Sequence, residues 1–215
     1  MEAFYSQLLL VMSIQILCLV SPGPDFFIVV RHAMQYSRKT GSYTAAGISV
    51  GLSVHIIYSI LGLGYLISSS VALFTLIRYI GAAYLIYIGL RAIRSTGMKP
   101  ADAADLKPTD QVQKTPGALK AFRSGFLTNV LNPKCTLFIL SLFSTVITPD
   151  TPVLVQTLYG VLMVGSTLIW FALVSYLFSF SKTRQLFQRF SKTADRCFGG
   201  ILIFFGTKLA LWSQS

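Results

Sequence analysis

Two short stretches of this chain set prolines beside charged or amide side chains inside otherwise apolar runs. The first is Ser21-Pro22-Gly23-Pro24-Asp25, and the second is Asn132-Pro133-Lys134, preceded by Asn129. Proline has no N–H to give to the carbonyl four residues back, so a helix running through either stretch loses hydrogen bonds and bends or breaks. Two prolines and a glycine within five residues predict two half-helices whose freed carbonyls need other donors. In a bilayer such backbone persists only where protein or a water-filled cavity satisfies it, which makes each break a candidate binding site. The plainer alternative is a proline kink without further role.

The side chains at the breaks define what such a site would hold. An unpaired carboxylate near the bilayer centre costs at least about 2.5 to 3.5 kcal/mol, so Asp25 is expected to be paired or protonated. A carboxyl that alternates between those states can load and release a proton; the alternative is an interfacial residue hydrated from the cytoplasm. Lys134 carries the opposite charge and either pairs with Asp25, meets a substrate carboxylate, or snorkels to the headgroups. An acid, a base and half-helix ends together suit a zwitterion, whose ammonium seeks oxygens and whose carboxylate seeks a cation or helix N-terminal amides. His55 is a further candidate, as a proton relay or as a hydrogen-bonded packing residue. Arg78 reads as an interfacial anchor facing outward.

These residues need membrane elements to hold them. Of 215 residues 53% are apolar and 12% charged, against roughly 25% charged in an ordinary soluble domain. Runs of about 20 apolar residues fall at 4–30, 42–67, 71–93, 122–147, 153–180 and 194–212, which predicts six spanning helices. The first is not expected to be a cleaved signal, because no basic residue precedes it and it outruns a typical signal core. Lys208 interrupts the last, close enough to Trp212 to reach the interface. Fifteen of the 18 basic residues lie in or flank three loops, between spans one and two, three and four, and five and six. By the positive-inside rule those loops are cytoplasmic and both termini lie on the far side. The net charge of +11 is therefore a topology signal, and nucleic acid is not an expected partner. Cys18, Cys135 and Cys197 have no paired or metal-ligand spacing and read as free thiols.

The polar stretch 95–121 lacks the apolar residues to build a core and reads as a cytoplasmic linker between units 1–94 and 122–215. With three spans on each side, any duplication gives inverted-topology repeats. Val20-Ser21-Pro22 and Leu131-Asn132-Pro133, each in the first span of its half, are consistent with that. The fold class is thus all-α: a polytopic membrane protein with six transmembrane helices in two inverted three-helix repeats. Segment 182–192 reads as either an amphipathic helix on anionic lipid or a basic loop. Gly47, Gly51 and Gly81-Ala82-Ala83 permit close helix approach, first within the chain and second in a homodimer. No zinc-protease, phosphate-loop or nucleophile-elbow motif is present, so an enzyme is not expected, and no cofactor is implied. A metal-ion exporter would want more ligands than Asp25, His55 and the cysteines supply. A non-transporting subunit leaves two proline breaks unexplained.

The Pro-Gly-Pro-Asp-Phe-Phe run at 22–27, Gly47-Ile48-Ser49-Val50-Gly51, Gly81-Ala82-Ala83-Tyr84-Leu85 and Asn129-Val130-Leu131-Asn132-Pro133-Lys134 together resemble the LysE/RhtB family of amino-acid exporters. The likeness covers nearly the whole chain and is nearest the threonine and homoserine exporter branch. It implies outward movement of a small neutral amino acid by proton antiport across a bacterial inner membrane. Its two proline breaks fall on Pro22 to Asp25 and Asn132 to Lys134. The candidate substrate and proton pathway is Pro22, Gly23, Pro24, Asp25, Asn129, Asn132, Pro133, Lys134 and His55.

Overall fold

The computed structural model describes residues 2–69, 71–94, 115–146, 151–180, 192–193, 195–197, 199–204, 206–207 and 210–211. Among them every regular element is a helix. In chain order these are α1 (Glu2–Val20), α2 (Pro24–Gln35), α3 (Arg38–Ser69), α4 (Val71–Ile93), α5 (Ala118–Val130), α6 (Pro133–Val146) and α7 (Val153–Leu177). Part of the last expected span is also helical. The Arg78 side chain, Lys208, Trp212, most of the 182–192 segment and most of the linker lie outside the described residues.

Both expected breaks are present. α1 stops at Val20 and α2 restarts at Pro24 with a bend of 54°, while α5 and α6 meet at 58° across Leu131 and Asn132. The cause is local: Pro22 and Pro24 cannot donate to the carbonyls of Cys18 and Val20, nor Pro133 to that of Asn129. Two stretches, Arg38–Gly62 and Val153–Leu177, are long and apolar enough to cross a membrane alone, and each bent pair passes the same test as one unit. That gives two to four candidate spans among the described residues, short of the six expected. α4 occupies its expected position over 23 residues, and its described part Tyr79–Ile93 is an apolar helix. α5 starts at Ala118, before the expected 122, because Pro116-Gly117 ends the irregular chain and good helix formers follow.

α3 is the central helix, packed on α2, α5, α6 and α7. Helices in lipid gain little from hydrophobicity and associate through small residues that bring backbones together. Gly47 and Gly51 of α3 and Gly125 of α5 do this directly. A Cβ at Gly47 would meet the Phe122 carbonyl and one at Gly125 the Thr44 carbonyl. The expected small-residue faces on α3 are therefore used within the chain. At one end Ser175 donates to the Arg38 carbonyl at 2.9 Å, and the Arg38 guanidinium lies over the rings of Tyr176 and Phe180. This ties the start of α3 to the end of α7.

Two apolar clusters stack along the bundle. One joins Phe26, Val29, Val30, Ile48, Phe171 and Val174; the other joins Val11, Ile14, Leu52, Ile56, Leu142, Tyr159 and Met163. Outside, large side chains such as Leu9, Leu61, Leu154 and Ile169 are more than two-thirds exposed, as a lipid-facing surface requires and a water-facing one avoids.

Candidate functional site

The breaks converge between the two apolar clusters, around a cavity of about 50 Å³, room for about four waters. Asp25 enters from the first turn of α2, where its charge complements the helix dipole. Its Oδ2 accepts hydrogen bonds from the side-chain amides of Asn129 at 3.0 Å and Asn132 at 3.1 Å. Its Oδ1 is buried with no hydrogen-bond partner. From the other break Lys134 Nζ donates to Ser21 Oγ at 3.1 Å, and it lies near enough to act electrostatically on Asp25.

Asn132 has two duties. Its side-chain oxygen accepts the Lys134 backbone N–H at 3.0 Å, capping the start of α6, and this leaves its amide to face Asp25. The amide orientation follows from those partners.

His55 answers the deficit that Pro133 creates. The Asn129 carbonyl has lost its helical donor, and His55 Nε2 supplies one at 3.0 Å, together with the Asn132 N–H at 2.9 Å. A carbonyl only accepts, so Nε2 carries the proton and Nδ1 accepts from the Tyr58 hydroxyl at 2.8 Å. With 1% of its surface exposed, His55 sits behind the site and does not line the cavity. His55→Phe is expected to orphan the carbonyl and lower stability by about 1 to 3 kcal/mol, measured as the thermal unfolding midpoint in detergent beside a ligand-free control.

Of the residues singled out in the sequence, Gly23, Asp25, Asn129, Asn132 and Lys134 line the cavity. Pro22, Pro24 and Pro133 shape the breaks without lining it, and the Pro133 carbonyl accepts from the Tyr84 hydroxyl at 3.3 Å. A Cβ at Gly23 would sit 3.5 Å from Lys134 Nζ, an ordinary van der Waals contact, so space alone does not demand glycine there. Sequence reasoning missed Ser21 as a contact of its own, and also Gln15, Cys18, Cys135 and Thr167, all on the cavity wall. Gln15 carried a usable signal, as an isolated amide in the first apolar run. All three cysteines are free thiols, and among the described residues no group of three or more His, Cys, Asp or Glu side chains is placed to hold a metal ion.

Helical throughout its described residues, with large apolar side chains on its exterior and a small cavity where two interrupted helices meet, the protein has the architecture of a membrane protein. The chain belongs to the LysE type translocator family, whose model matches residues 16–213. It is 33% identical over 203 residues to the threonine efflux protein of Escherichia coli K12, covering 94% of this chain and 97% of that protein. It is 30% identical over 206 residues to the uncharacterized membrane protein YrhP of Bacillus subtilis, covering 95% and 98%. The homoserine/homoserine lactone efflux protein of Salmonella typhi is 33% identical over 139 residues, 65% of this chain and 64% of the relative. No solved structure matches the chain.

Proposed function

We propose that this translocator exports a small neutral amino acid of the threonine and homoserine type by exchange for protons across a bacterial inner membrane. In this reading six spans form two inverted three-helix repeats, 1–94 and 122–215, joined by the 95–121 linker, with both termini non-cytoplasmic. The names of the full-length relatives support amino-acid efflux. The observation that carries the mechanism is the buried Asp25 Oδ1 left without a hydrogen-bond partner at a cavity that Lys134 also lines.

A buried carboxylate oxygen without a donor is costly. Oδ1 is therefore where a proton or a substrate ammonium lands, and one atom does not serve both at once. Mutual exclusion at one carboxylate is what exchange requires: the proton leaves toward the cytoplasm, the ammonium binds, and the reverse follows at the other face. Lys134 takes the substrate carboxylate. A cation in the first turn of α6 works against that helix's dipole, so its position is better explained by a ligand than by helix stability. Phe26 and Phe171 of one apolar cluster and Leu52, Phe138 and Ile139 of the other line the cavity, and exchange requires that its two sides open in turn.

The test is efflux from preloaded proteoliposomes across a panel of amino acids, with and without a pH gradient. Small neutral amino acids should leave faster when the receiving side is acidic. Rates that ignore the gradient would remove the coupling, and no movement of any amino acid would remove the function.

A further inference from the structure

Gln15 of α1 and Thr167 of α7 form a buried hydrogen bond across 152 residues of sequence, Nε2 to Oγ1 at 3.0 Å. Gln15 lies six residues before Ser21, about 9 Å along the helix axis. The pair is 3% and 1% exposed, and both side chains border the cavity. The same cavity is lined by the apolar Leu52, Phe138, Ile139 and Phe171.

The shared bond uses one of the two Gln15 N–H donors and one acceptor site of the Thr167 hydroxyl. The Gln15 carbonyl oxygen, its second N–H and the Thr167 hydroxyl proton have no other hydrogen bond among the described residues. Polar capacity of this kind is not needed to join α1 to α7, which pack together and contribute Val11 and Ile14, and Tyr159 and Met163, to one apolar cluster.

We propose that Gln15 and Thr167 are the specificity-determining residues for the substrate side chain, binding its hydroxyl while Asp25 and Lys134 hold the charged end. The assignment rests on the amino-acid export reading. A site that hydrogen-bonds a hydroxyl rejects the analogue lacking it, because its own buried groups are then left unpaired, whereas an apolar pocket hardly distinguishes the two. Threonine and valine differ in just this way at nearly equal volume. With about two unpaired groups at stake, wild-type protein should favour threonine over valine by about 10- to 100-fold.

The experiment measures efflux of both amino acids from proteoliposomes holding the full chain, as wild type and as Thr167→Val, Thr167→Ser and Gln15→Leu. The expected result is a ratio that collapses toward one in Thr167→Val and Gln15→Leu, survives in Thr167→Ser, and leaves the response to the pH gradient intact in all. Should Gln15→Leu fail to insert, the wild-type ratio and the Thr167 pair decide the matter. Wild type with no preference, or Thr167→Val with an unchanged ratio, overturns the assignment while export stands. Wild-type vesicles that move neither amino acid, nor any other in the panel, overturn the export reading and the assignment together.

Discussion

Asp25→Asn is expected to abolish proton-coupled efflux while the protein still folds and inserts. The substitution is isosteric, and the asparagine carbonyl can keep accepting from the amides of Asn129 and Asn132 at the positions now held by Oδ2. Its amide nitrogen would replace Oδ1, the atom without a partner. The packing of α2 on α3 and α5 is therefore retained, and what disappears is the proton and the charge. Gradient-driven efflux should fall by about 100-fold or more, the scale on which one positioned proton-transfer group acts. The unfolding midpoint should move little. Coupled efflux at the wild-type rate in well-inserted Asp25→Asn would end its role as carrier.

The second large effect concerns helices rather than chemistry. Gly125→Ala should destabilise the protein by about 3 kcal/mol or more, at the upper end of the usual cost of overpacking. The obstacle at Gly125 is the Thr44 carbonyl, which belongs to the backbone of α3 and cannot rotate away as a side chain does. Separating α3 from α5 would also shift Asn129, which lies one turn further along α5 and holds Asp25. Gly47→Ala meets the reciprocal obstacle at the Phe122 carbonyl and should behave alike. Gly165→Ala is the control, because nothing lies within 4 Å of a Cβ there. In the middle of α7 that change should be neutral or stabilising by up to about 1 kcal/mol. The three unfolding midpoints in detergent check the argument, and equal shifts for Gly125→Ala and Gly165→Ala would refute it.

The breaks were legible in the sequence because they are consequences of single residues. A proline withholds its N–H wherever it stands, so Pro22, Pro24 and Pro133 announce interruptions without reference to any neighbour. The same holds for the long apolar runs, which name the solvent by composition alone, and for Asp25, Asn129, Asn132 and Lys134 as polar groups too costly to leave in lipid without a use. The position of α4 followed from the sequence as well, its bounds matching the apolar run 71–93.

Partners were another matter. Opposite charge made Lys134 the natural expectation for Asp25, yet the groups hydrogen-bonded to Asp25 Oδ2 are two amides more than 100 residues away in sequence, and the Lys134 ammonium donates to Ser21. His55 read equally as relay or packing residue; its place behind Asn129 follows from a carbonyl that Pro133 orphaned on a different helix. Gln15 and Thr167 join only because α1 and α7 cross at that height. Backbone hydrogen bonding is local and therefore readable residue by residue. Which side chains face one another depends on how closely the helices pack, and here that was set by glycines on α3 and α5, whose contacts become definite only in the assembled bundle.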